Sequence, residues 1–150
     1  MKSKYKYILL GIVGLLLMAL VIIIGLRTLV MSIANQRTCE WANIDNIELN
    51  ARIDVPSIID SDCEYLEAIN TKKAYFAFNL VDFDADRYIE VNKLKKLNTK
   101  YPEIDFINFN SDSLKFDMLY YKSRNGKNSN SYALFDKNKG QLWVSIQYTD

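Results

Sequence analysis

The residues best placed for chemistry in this chain are acidic. Asp82, Asp84 and Asp86 alternate at i, i+2 and i+4, the spacing with which a calcium loop opens. The remainder of that loop is missing. Arg87 stands at its sixth position, where a glycine makes the turn, and Lys93 at its twelfth, where a bidentate glutamate closes the coordination sphere. The same acids suit the start of a helix, with Asp84 as N-cap and Asp86 in the first turn. The helix start is the favoured reading and a weak, irregular calcium site the rival.

Other chemistries are narrowed by what the chain lacks. Histidine is absent, which removes the commonest general base, the commonest metal ligand and the side chain that titrates near neutrality. Ser-His-Asp and Cys-His catalysis and most zinc sites are excluded within the chain. Two cysteines, Cys39 and Cys63, do not make a zinc site without imidazole. A Ser-Lys pair needs a serine beside a desolvated lysine, yet most serines beyond the apolar run neighbour Asn, Asp or Gly, as turn serines do. The five glycines are scattered, so no loop cradles a phosphate. Eighteen acidic residues bring some carboxylates together by chance, and none is singled out for acid-base work. The expectation is a chain that is not an enzyme and takes no cofactor.

The elements that position these residues begin with an anchor. Ile8–Leu26 runs for 19 residues without a charge or a strongly polar side chain. As a helix it spans about 28 Å, close to the hydrocarbon thickness of a bilayer. Lys2, Lys4 and Lys6 precede it among Tyr5 and Tyr7, which favours residues 1–7 as a cytoplasmic tail and the rest of the chain on the far side. A cleaved signal peptide is the rival, with Ser32-Ile33-Ala34 as the small-x-small site. The run exceeds a usual h-region, and Arg27 lies between it and that site, so an uncleaved span over 8–26 is favoured. Residues 27–38 then form a juxtamembrane linker, and 39–150 a periplasmic domain anchored in an inner membrane. In that compartment Cys39 and Cys63 are expected to form one bridge rather than two separate buried thiols.

The exported part has the length for one core. Ile47, Leu49, Ala51, Ile53 and Val55 alternate with polar residues, which predicts a strand ended by Pro56. Ser61-Asp62-Cys63-Glu64 matches a capping box and predicts a short helix to Asn70, with Cys63, Leu66 and Ile69 inward. Ala74–Val81 reads as a buried strand. Asp84 opens a helix to about Asn98, with Tyr88, Val91, Leu94 and Leu97 inward and lysines crowding its C-terminal end. Four strands follow at Ile104–Phe109, Leu114–Tyr121, Ser131–Phe135 and Leu142–Tyr148, parted by Asn/Gly turns. The predicted fold is α+β: an N-terminal transmembrane helix, then a small domain with two helices packed on a mainly antiparallel sheet.

Charge is uneven along the domain. Residues 28–150 carry 15 Lys/Arg and 18 Asp/Glu, a balance of −3, which with the compartment argues against nucleic acid. Residues 40–92 hold 12 acids and 4 bases, and residues 93–150 hold 10 bases and 6 acids. Either the two halves attract each other inside one domain, or an acidic face meets a basic protein. On the strands, Phe116, Met118 and Tyr120 are expected in the core with Tyr121 outside. Trp143 opposes the Leu142, Val144, Ile146 face, so either it is exposed or the sheet is buried on both faces. Asp82, Asp84, Asp86, Tyr121, Arg124 and Trp143 are therefore the candidate partner-binding residues.

In plan the chain resembles bitopic immunity proteins, which protect against toxins delivered into the periplasm by contact-dependent or type VI secretion systems. The likeness is organisational: a short basic tail, one span, one small domain with a cysteine pair, and no catalytic set. It implies a protein partner, a secreted toxin, whose active site the domain would occlude. A structural subunit of an envelope secretion or division assembly is the alternative.

Overall fold

A computed structural model describes residues 2–81, 83–98, 104–110 and 114–149. The chain divides into two compact units, Met1–Asn35 and Gln36–Asp150. The first is a single helix, α1 (Lys2–Ala34). Its stretch Tyr7–Ala34, whose most apolar 18 residues have a mean hydropathy of 3.1, is long and apolar enough to cross a membrane. A helix satisfies its backbone internally, as hydrocarbon requires. Thr28 also satisfies itself, its hydroxyl donating to the Gly25 and Ile24 carbonyls at 2.8 and 3.1 Å.

The second unit runs α2 (Asn43–Ala51), β1 (Ile58–Leu66), β2 (Thr71–Phe78), α3 (Ala85–Val91), β3 (Lys95–Lys96), β4 (Leu119–Asn125), β5 (Ser129–Asp136) and β6 (Gln141–Tyr148). The six strands form one antiparallel sheet in the order β1-β2-β6-β5-β4-β3. The α+β class is therefore as predicted, with two helices on an antiparallel sheet. Alternation along each strand divides its side chains between two faces. On the helix face, Phe76, Phe78, Phe135, Leu142, Val144 and Ile146 pack with Ile47, Ala51 and Ile53 from α2 and its exit, and with Tyr88 from α3. On the opposite face Leu119, Leu134 and Trp143 pack with Leu97 and Phe106. Ile104 and Phe109 join this second cluster, so a chain segment rather than a helix covers that face.

Several elements differ from the sequence reading. The predicted strand at residues 47–55 is the helix α2. Ile47 and Ala51 are buried under either period, and Leu49 separates the two: it is 38% exposed where a strand would bury it. Arg52, at φ 54°, ends the helix. The predicted helix at residues 61–70 is β1 as far as Leu66 and then a 3₁₀ turn, Glu67–Ile69. The capping signal is local, whereas pairing along β2 satisfies one side of the backbone from Ile58 to Leu66; Ile69 is exposed rather than inward. The helix opened by Asp84 stops at Val91, seven residues shorter than predicted. Asn92 caps it, its side chain donating to the Tyr88 carbonyl at 3.0 Å and accepting from Asp54 N at 2.8 Å, and Lys93 turns at φ 54°. Val91 is exposed, while Leu94 and Leu97 are buried without helical structure. Residues 104–110 form no strand; Asn108 sits at φ 52°. Phe116–Met118 is a 3₁₀ turn leading into β4, with Phe116 exposed and Tyr120 packed on the helix-face core as expected.

Candidate functional site

The predicted partner-binding residues do not converge. Asp82 lies outside the described residues. Asp84 is the N-cap of α3, its carboxylate accepting from Arg87 N at 3.0 Å, and Asp86 pairs with Lys137 Nζ at 2.6 Å. Tyr121 is half-buried and stacks on Tyr132 with ring centroids 5.7 Å apart. Burial, and the neighbouring Tyr121, push the Tyr132 hydroxyl up to about 12, so it stays protonated.

Arg124 faces the fold rather than solvent. Its guanidinium donates to the Asn50 carbonyl at 2.6 Å and the Leu49 carbonyl at 3.4 Å. Lys122 donates to the Arg52 carbonyl. Two cations from β4 thus satisfy the C-terminal carbonyls of α2 and lie at the negative end of its dipole. Trp143 is 2% exposed and packs on Tyr75 and Phe109. Of its two predicted environments the buried one holds, because residues 104–110 cover the sheet there. Its Nε1 has no acceptor among the described residues.

Two lysines of β2 are buried on opposite faces. Lys73 bonds Asp105 at 2.6 Å and lies 3.5 Å from Glu64. This ion pair occupies the amine that a Ser-Lys mechanism would need neutral, although Ser145 lies opposite Lys73 in register. Lys72 is 1% exposed in the helix-face core. It donates to Asn46 Oδ1 at 3.0 Å and to the Gln36 carbonyl at 3.5 Å. The Tyr148 hydroxyl lies 2.9 and 3.0 Å from the same two oxygens, with one proton to donate between them, and Arg37 lies over the Tyr148 ring at 5.5 Å. Desolvation lowers the Lys72 amine to about 8 and, outweighing Asn46 and Arg37, raises the Tyr148 hydroxyl to about 12. The node latches the first residue of the second unit onto the sheet.

The charge asymmetry of the sequence takes a definite form in space. Asp60, Asp62 and Glu64 lie on β1 at one edge of the sheet, and Lys95 and Lys96 on β3 at the other. Five inter-strand steps of roughly 4.8 Å separate the edges, so these two sets do not neutralise each other by contact. Strand β1 is nine residues long and, among the described residues, pairs only with β2. Its register shifts between Ile58 and Asp60, and the intervening Ile59 is 70% exposed. Behind this edge Cys63 is bridged to Cys39, Cα to Cα 5.8 Å, tying the strand to the chain that enters α2. Sequence reasoning missed the edge because it read these residues as a helix; the β-branched Ile58-Ile59 pair was the available signal.

No group of three or more Cys, Asp or Glu among the described residues is placed to hold a metal ion. No protein-family model, curated protein or solved structure matches the chain.

Proposed function

We propose that the chain is a membrane-anchored, non-catalytic binding domain on the periplasmic side of an inner membrane. Its work is to bind and occlude a protein, in the manner of an immunity-type inhibitor of a secreted toxin. The observation that carries this reading is the edge strand β1. Among the described residues no strand lies on its outer side, Ile59 is exposed and Asp60 stands beside it; Asp62, which accepts from Cys63 N and Asn108 Nδ2 at 2.8 Å each, and Glu64, 3.5 Å from Lys73, add negative charge along the same strand. A free edge accepts an added strand, an exposed β-branched side chain among polar neighbours makes an anchor, and the acids select a basic segment of the partner. The basic tail before α1 supports an N-terminus in the cytoplasm, and the Cys39–Cys63 bridge suits an oxidising compartment.

The test is the neighbouring gene: it should encode a secreted toxin, and a survival assay is then run against that toxin delivered to the periplasm, an operon of envelope components overturning the proposal. Cells lacking the chain are expected to be killed and cells expressing it to survive. Replacing residues 2–34 with an unrelated anchor should preserve protection. Changing Ile59→Asp together with Asp62→Lys should abolish it while the domain stays folded and bridged. Equal survival without the chain overturns the proposal. So does loss of protection on exchanging the anchor, which would favour an assembly subunit whose span packs against other helices.

A further inference from the structure

The face opposite the helices changes character along its strands. Toward one end, Tyr121, Leu134, Trp143 and Tyr75 follow one another across β4, β5, β6 and β2 and are packed under residues 104–110. The next rows in register are polar. Ser123, Tyr132 and Ser145 stand side by side on β4, β5 and β6, followed by Asn125, Asn130 and Gln147. These six side chains line one pocket of about 240 Å³, open to solvent, with Ile104 at its wall.

The lining of this pocket is polar and uncharged. The side chains of Ser123, Asn125 and Gln147 are exposed and those of Asn130 and Ser145 half-buried, and none makes a hydrogen bond to another described residue, so all five converge on the cavity with donors and acceptors that a ligand can take from water. Among the described residues no ionisable group other than the protonated Tyr132 lines the pocket, and the nearest row neighbour, Lys73, is held by Asp105 and Glu64. These described lining residues offer no cation to a phosphate or carboxylate ligand and no carboxylate to a cation.

Side-chain amides and hydroxyls each donate and accept, which is what adjacent sugar hydroxyls require of a partner. Tyr132 and Ile104 add apolar surface for the C–H faces of a ring. The cavity is smaller than the roughly 300–1,000 Å³ of drug-sized pockets, and it is open, so it fits one sugar of a longer chain rather than an enclosed metabolite. We propose that this polar end of the sheet binds an uncharged oligosaccharide through Asn125, Asn130 and Gln147, with Ile104 and Tyr132 as its apolar wall. The site lies on a different strand set from the β1 edge, so it does not depend on the protein-binding reading.

The test uses the full chain in a polyoxyethylene detergent, since glycoside detergents would compete. Chitotetraose, cellotetraose and an oligogalacturonate of equal length are titrated by isothermal calorimetry and by ¹H–¹⁵N chemical-shift mapping. A neutral oligosaccharide should bind with a millimolar or tighter Kd and shift the amides of residues 123–125, 130–132 and 145–147. The oligogalacturonate should bind at least fivefold more weakly. Asn130→Ala and Gln147→Ala should each weaken the neutral ligand at least fivefold with unchanged circular dichroism, and Ser123→Trp should block it by filling the cavity. No binding of either neutral chain at 10 mM to the folded protein overturns the proposal. Binding that maps elsewhere, or that survives all three substitutions, also overturns it. So does protection of these same amides by a protein partner with no response to sugar.

Discussion

Replacing Lys72 with Met tests the account of the helix-face core. The Lys72 amine is fully buried, and its only partners are two neutral oxygens. Its ionisable neighbours are Tyr148, Tyr65 across the register, and Arg37 over the Tyr148 ring; no carboxylate pairs with it among the described residues. Desolvation therefore lowers its pKa from 10.5 to about 8, so the folded chain releases this proton more readily than the unfolded one. Between these two values the unfolded state binds more protons, and stability rises with pH. The shift corresponds to about 3 kcal/mol withheld at neutral pH. Titrating the amine from pH 7.5 to 9.5 should return about 2 kcal/mol of it, before the unfolded tyrosines ionise fully. Methionine has a similar length and no charge, and the single Tyr148 hydroxyl proton remains within reach of Asn46 Oδ1 and the Gln36 carbonyl, so at least one of the two oxygens stays bonded. The variant should therefore be at least as stable as the parent at pH 7.5, and the parent's pH-dependent gain should be missing from it. Urea unfolding of the full chain in detergent, followed by tryptophan fluorescence, measures both. Equal pH slopes in parent and variant would refute the reasoning, as would a variant several kcal/mol less stable at pH 7.5.

Three further outcomes follow from the packing. Reducing the Cys39–Cys63 bridge, which spans 24 positions, should cost about 3 kcal/mol by the chain-entropy model, read as the drop in urea midpoint with and without reductant. Ile47→Ala should cost about 2–4 kcal/mol, whereas Leu49→Ala should cost under about 1 kcal/mol; equal costs would restore the strand reading of this segment. Trp143→Phe removes an N–H that has no acceptor among the described residues, which offsets the lost ring area. It should change stability by no more than about 1 kcal/mol, against roughly 3–5 kcal/mol for Trp143→Ala, and a large loss on Trp143→Phe would mean that the indole is bonded.

The legible parts of the sequence were those where one signal acts alone. The apolar run needs no partner to be read, because its length and lack of charge are the property that matters. Strands β5 and β6 alternate cleanly between Asn/Gly turns, so their period was unambiguous. Asp84 was read as an N-cap, and its carboxylate accepts from Arg87 N. The errors fall where two signals compete. Ile47 and Ala51 satisfy a period of two and a period near four, and only the exposure of Leu49 decides between them. Ser61-x-x-Glu64 has the form of a cap, but nothing in it reports that β2 lies alongside. Arg124 and Trp143 carry the marks of recognition residues, yet one caps the carbonyls of α2 and the other fills the core under residues 104–110. Neither role is written within several residues of its own position.

By itself the sequence determined the long apolar helix, the fold class and the cysteine pair available for bridging, because each rests on local composition or period. Tertiary structure decided which charges face inward and which stand at the edges of the sheet. Lys72 and Lys73 are adjacent in the chain, and only the pleat places one in an apolar core and the other against Asp105 and Glu64. Only strand order sends Asp60, Asp62 and Glu64 to a free edge and Lys95 and Lys96 to the far one. Only register gathers Ser123, Asn130 and Gln147, from three separate strands, around one cavity. Burial and charge proximity depend on long-range pairing, which a linear pattern of residues does not encode one segment at a time.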